Sequence, residues 1–268
     1  MRLITERTDP RPIAVVRIAL GVAVASNALE TSVVLQRVVD GSIRVPVLDW
    51  LPAPTGFAVQ LCAALGVLAG VALATGFFAR GAAIAATALS VWVFLWDQQT
   101  YSNHRVLVTL LVAYLVFAES DARWAVRRKF ERISSVPWWP QLLIMTQIST
   151  CYLFAAVNKI NPTFLEGDLF ASWLRWPLPE PMYPLMAIAA VATELFLAAA
   201  LWWRRTRLMA VAVGVMLHAS IVIGMAEQTV PLAIFGLTCV SAYVLFLTRP
   251  PFSLRSASTT SSADLVTR

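Results

Sequence analysis

The chain has 268 residues, of which 59% are hydrophobic and only 13% charged, and its mean hydropathy is +0.71. A soluble domain is about a quarter charged, so a soluble globular enzyme is excluded. Disorder is excluded too, because it needs little apolar surface and much charge. The net charge of +6 is no nucleic-acid signal, since the cationic residues fall between apolar runs, where membrane topology uses them.

Eight apolar runs follow in chain order: 13–36, 56–78, 81–97, 102–118, 138–158, 183–203, 208–226 and 229–248. Each is near the roughly 20 residues that cross a bilayer core as helix, with the third and fourth the shortest. They are apolar nearly all round, as helices in lipid are. The fold class is therefore all-α, a polytopic transmembrane helix bundle of about eight spans. The first run is too long for the apolar part of a signal peptide and no A-x-A site follows it, so it reads as a retained helix.

The connecting segments alternate in charge. Arg2, Arg7 and Arg11 precede the first run; Arg80 separates the second and third; Arg123, Arg127, Arg128, Lys129 and Arg132 lie between the fourth and fifth. Arg204, Arg205 and Arg207 separate the sixth and seventh, and Arg249 and Arg255 follow the last. The other set of loops carries Asp97, Glu166, Asp168, Glu180 and Glu227. The positive-inside rule then places both termini in the cytoplasm. Two outer loops, 37–55 and 159–182, are rich in Pro and aromatics, including Trp50, Phe164, Phe170, Trp173 and Trp176, and are expected to lie in the interface. Residues 251–268 read as a Ser/Thr-rich, disordered cytoplasmic tail.

A charge at mid-bilayer costs about 2.5–3.5 kcal/mol even on the gentlest scale, so each one asks for a reason. Lys159 ends the fifth run at the outer face, in a chain with two Lys against 19 Arg. Arg is effectively never deprotonated, whereas a desolvated Lys can be, so Lys159 is a candidate general base. The competing reading is a snorkelling interface lysine. The two histidines, His104 and His218, fall in the same outer half. This predicts that Lys159, His104 and His218 converge in one outer-leaflet cavity. Asp97 and Asn103 flank the turn before the fourth run. Asp97 is a candidate to orient His104 or pair with Lys159, with a solvated loop acid as the default. Glu194, in the middle of the sixth run, needs a partner or a proton. Gln147 and Asn158 share a helix with Lys159 and are placed along a cavity. Arg17 is expected to make a structural ion pair or a lipid-headgroup contact. Gly66 and Gly70 form one GxxxG packing signal. Cys62, Cys151 and Cys239 share no ligand spacing and read as small buried hydrophobes. The histidines and Lys159 lack an acid placed to complete a metal site.

Two of these stretches resemble a known family. WDQQTYSNHRVLVTLLVAYLVFAESDARWAV and QISTCYLFAAVNKINPTFLEGDLF are similar to the two signature blocks of the vitamin K-dependent gamma-glutamyl carboxylases. PIAVVRIALG, containing Arg17, is similar to a third, shorter block. The resemblance spans residues 12–246 and is that of the HTTM (horizontally transferred transmembrane) domain, here 1–250.

The resemblance implies that Lys159 is the catalytic base, with His104 and His218 as its catalytic companions. Asp97, Asn103, Gln147, Tyr152, Asn158 and Glu194 are then the candidate contacts of the cofactor. That cofactor is a reduced quinone, vitamin K hydroquinone or menaquinol, with O2 and CO2 as co-substrates. The implied reaction is quinol epoxidation coupled to proton abstraction and carboxylation, at the outer face of a bacterial cytoplasmic membrane. The family's carboxylases add a large lumenal C-terminal domain, which this sequence does not show after its last helix, so propeptide recognition is not expected. The alternatives are a partner-dependent maturation factor for a secreted peptide, and a non-catalytic quinone or lipid binder. The partners expected are the bilayer, a quinone, and a peptide substrate or partner protein; nucleic acid is not among them.

Overall fold

A computed structural model describes residues 2–127 and 133–248. Arg128, Lys129, Arg132, Arg249, Arg255 and the Ser/Thr-rich tail lie outside these residues. Among the described residues the fold is helical apart from a two-stranded antiparallel pair, Arg7–Thr8 with Val136–Pro137, and an isolated bridge between Leu174 and Met225. Its principal helices are α1 (Arg11–Val39), α2 (Gly56–Thr75), α3 (Ala79–Trp96), α4 (Asn103–Leu115), α5 (Trp139–Lys159), α6 (Met182–Ala200), α7 (Arg207–Gly224) and α8 (Thr229–Thr248).

Seven of these eight are long and apolar enough to cross a membrane. The exception is α4. Its 13 residues rise about 20 Å at 1.5 Å each, against a hydrocarbon core of about 30 Å. The apolar run at 102–118 thus overstates the helix. The chain leaves α4 through turns to Glu119, in the left-handed region at φ 48°, and a short 3-10 turn at Ser120–Ala122.

Arg17 binds the segment that follows that early stop. It is fully buried, and its guanidinium donates to the carbonyls of Ser120 (2.7 Å), Arg123 (3.0 Å), Trp124 (2.8 Å) and Ala74 (3.3 Å). Asp121 adds a favourable charge nearby. Of the structural ion pair or headgroup contact expected, the structure shows a structural role, an internal clamp made chiefly on carbonyls. The last carbonyls of a helix and those of the turns after it lack a helical partner, and Arg17 supplies donors to such groups after α4 and near the end of α2. Gly76 closes α2 at φ 73°, and a Cβ there would lie 2.5 Å from Ala125 Cβ and 3.0 Å from Arg17 NH1.

The bundle has two halves. In one, α1 packs along α2 and α4, with α3 between α2 and α4; in the other, α5 packs on α6 and α8, with α7 against α6 and α8. The halves meet through α1 on α8 and α4 on α5. The GxxxG pair sits on the α1–α2 seam, where the backbones touch. A Cβ on Gly70 would lie 2.6 Å from Gly21 O, and one on Gly66 2.6 Å from Ala28 Cβ.

The loops at the opposite end from Arg17 are tied down by hydrogen bonds. Thr55 caps α2 and Ser102 caps α4. The carboxylate of Asp97 receives the backbone N–H groups of Val45 (2.9 Å) and Gln99 (2.8 Å), while Gln98 N–H reaches Val45 O. Asp97 is fully buried. It is neither a solvated acid nor a partner of His104 or Lys159: its oxygens are spent on pinning the 40–55 segment to the α3–α4 turn. After α5, two short helices, Pro162–Leu165 and Asp168–Trp173, lay Phe164 and Phe170 against Tyr183, Ala187 and Val191 of α6.

The seam is testable with two glycines. Gly70→Val should lower stability by about 1–3 kcal/mol through overpacking. Gly81→Val, where an added Cβ meets nothing within 4 Å, should leave it nearly unchanged. Thermal unfolding of both variants in detergent checks this; equal midpoints would show that the seam is not tight.

Candidate functional site

Helix α5 positions the site. Tyr152, Ala156 and Lys159 recur at the i, i+4, i+7 spacing of one helix face. Tyr152 and Ala156 are buried, and Lys159 sits in the last turn, where the face reaches the helix end. Asn161 then caps the next short helix by accepting from Phe164 N–H, which brings the Phe164 ring to 5.9 Å from Lys159 Nζ.

Lys159 Nζ donates to Glu194 Oε1 of α6. The pair is mostly enclosed, with side chains 29% and 12% exposed. Glu194 Oε2 is enclosed and has no hydrogen-bond partner. Glu194, expected to need a partner or a proton, has its partner in Lys159. The arrangement holds an amine beside a carboxylate that can accept its proton, with one carboxylate oxygen left for a further donor.

Two turns deeper on α5, the Tyr152 hydroxyl meets His218 Nε2 of α7 at 2.7 Å. It also meets the Tyr243 hydroxyl of α8, and Cys239 of the same helix is buried in the surrounding core. These four side chains are all buried. Small residues make the room: Gly236 faces His218, where a Cβ would lie 3.1 Å from His218 Cβ, and Phe235 closes edge-on at 5.4 Å between ring centres. A hydroxyl and an imidazole each donate and accept, so this chain of groups can pass a proton along its length. All three cysteines are free; Cys239 is the small buried core residue expected, while Cys62 and Cys151 are partly enclosed.

His104 belongs to another group. Its Nδ1 lies 3.2 Å from Ser102 Oγ and its Nε2 3.5 Å from Glu30 Oε2 on α1. Arg105 binds the same Glu30 oxygen at 3.2 Å and the Thr100 carbonyl at 2.8 Å. Among the described residues, no hydrogen bond or ion pair joins His104 to Lys159 or His218. The three residues expected in one cavity therefore fall into separate contact groups. Tyr152 with His218 and Lys159 with Glu194 share a helix, whereas His104 stands with Glu30. Of the remaining candidates, Gln147 Oε1 accepts from Tyr114 at 3.5 Å. Asn103 and Asn158 are exposed, and the Asn158 carbonyl accepts from Asn161.

The sequence reading missed Glu30, Arg105 and Tyr243. Glu30 was visible as the one acid in the run 13–36, and the rule applied to Lys159 and Glu194 covers it equally. Tyr243 gave no signal, because a tyrosine in an apolar helix looks like core.

A family model described as HTTM domain matches residues 5–250 of the chain, and no solved structure matches it.

The Lys159–Glu194 pair makes a double-mutant prediction. Lys159→Met and Glu194→Leu should each cost about 1–3 kcal/mol, because each strands an enclosed charge. The double variant should cost clearly less than the sum. Unfolding midpoints of the four proteins check it, and additive losses would show that the two side chains do not interact.

Proposed function

The chain belongs to the HTTM domain family, the transmembrane-domain family of vitamin K-dependent carboxylase-like proteins, and from that premise we propose that this membrane protein is a quinol-oxidising enzyme with Lys159 as its general base. One observation carries the reading: Lys159 is the amine of an enclosed amine–carboxylate pair whose second oxygen, Glu194 Oε2, has no partner. That orphaned acceptor fits a hydroxylated substrate, and Phe164 beside Lys159 gives an aromatic wall.

A reduced quinone supplies an acidic hydroxyl and two reducing electrons, and with O2 it yields an epoxide and water. The protein's part is proton handling. Glu194 takes the proton of the Lys159 ammonium, which frees the amine without bulk water. The amine then removes the proton of the substrate hydroxyl held against Glu194 Oε2. A mostly enclosed site strengthens both interactions by excluding solvent. Tyr152, His218 and Tyr243 form a separate hydrogen-bonded group two turns deeper on α5. His104, tied to Glu30, has no direct part in these transfers. The charge asymmetry of the loops supports an outward-facing site, and a bacterial cytoplasmic membrane with menaquinol is the setting we propose.

The test is turnover. The reconstituted protein, given vitamin K hydroquinone or menaquinol with air and bicarbonate, should form the 2,3-epoxide. Lys159→Arg and Lys159→Ala should each lose about two orders of magnitude or more, the scale of general-base catalysis. An active Lys159→Arg would refute the base assignment, because Arg keeps the charge but not the titration. No epoxide from folded native protein would refute the enzyme.

A further inference from the structure

The α1–α4 half holds polar atoms that the Lys159 site does not use. Between these helices lies a cleft of about 40 Å³, against roughly 10–15 Å³ for one water-sized group. Its wall carries Asn27 and Arg105, each only 9% exposed. Asn27 Oδ1 and Arg105 Nε are both enclosed and without a hydrogen-bond partner. One accepts and the other donates. Such groups are rarely left unpaired in a finished interior.

Charge narrows what can meet them. The Arg105 guanidinium is already paired with Glu30 at 3.2 Å, so the cleft does not call for an anion, and the same guanidinium disfavours a cation. A neutral group that donates once and accepts once suits both atoms, and a hydroxyl is a small group that does this.

The surroundings add a chain. An apolar groove of about 730 Å³ runs over α2 and α3, lined by Leu65, Leu68, Ala85 and Trp92 and reaching Phe78. Leu89 lines both the cleft and the groove, so the two adjoin. The eleven steps from Phe78 to Leu89 cover about 16 Å of helix, the reach of a medium-length alkyl chain.

We propose that this composite site binds a lipid-soluble alcohol, its neutral hydroxyl held by Asn27 and Arg105 and its hydrocarbon chain laid in the α2–α3 groove. This site is separate from the pair at Lys159 and does not depend on the reading given to it.

Photolabelling in lipid nanodiscs tests the assignment. The full chain is irradiated with dodecanol carrying a diazirine in its chain, and adducts are mapped by mass spectrometry. Two comparison probes have the same chain, one ending in methyl and one in carboxylate. The alcohol should label α2 and α3 along the groove, and unlabelled dodecanol should compete. Asn27→Leu should reduce labelling about tenfold. Ala63→Phe should block it, because Ala63 lines the cleft and is buried. Lys159→Ala should leave it intact. Equal labelling by all three probes, or labelling indifferent to Asn27→Leu in a protein that still melts cooperatively, would overturn the proposal and leave water in the cleft and ordinary lipid in the groove. The comparison of probes uses the native protein and stands without the variants.

Discussion

A charge inside hydrocarbon must be met by something, and this bundle is arranged around that requirement. Arg17 is met by four backbone carbonyls, Glu30 by Arg105 and His104, and Lys159 by Glu194. Each solution fixes something larger. Arg17 finds its carbonyls in the last turn of α2 and in the turns that follow α4, so one buried guanidinium ties two chain reversals together. The apolar sequence continues beyond Leu115, but the chain turns there, and Arg17 binds the turn.

The second constraint is close approach. At the α1–α2 seam Gly21, Gly66 and Gly70 let backbones touch, which replaces the hydrophobic driving force that lipid does not supply between helices. That seam holds Glu30 over α4, where it meets His104 and Arg105. In the other half α5 is the hub: its one polar face meets α6 through Lys159 and meets α7 and α8 through Tyr152. A proton held at Glu194 and a proton shared among Tyr152, His218 and Tyr243 are thus carried by the same helix, two turns apart. This division of labour leaves the α1–α4 half with its own unpaired polar atoms.

Much of the fold was legible from apolarity alone, because seven helices begin and end within a few residues of the apolar runs. The length of α4 was not, since the turn after it is bound by Arg17, 103 residues upstream of Ser120. At the site, rarity pointed to Lys159, and the cost of a mid-span carboxylate pointed to Glu194. Their pairing was hidden because helix register relates residues 35 apart only once the bundle is packed. Asp97 looked free to reach Lys159 or His104. In the structure it is consumed locally by two backbone N–H groups, a common use of Asp at turns that spacing alone does not separate from a catalytic one.

The central claim is that Lys159, held by Glu194, is the amine that meets an acidic hydroxyl. The chain has only two lysines, Lys129 and Lys159, so lysine labelled with nitrogen-15 at Nζ gives two side-chain signals, assigned by single substitution. On addition of vitamin K hydroquinone under anaerobic conditions, the Lys159 signal should move and the Lys129 signal should not, and Glu194→Gln should shift the Lys159 signal before any quinol is added. A Lys159 signal indifferent to both would contradict the account.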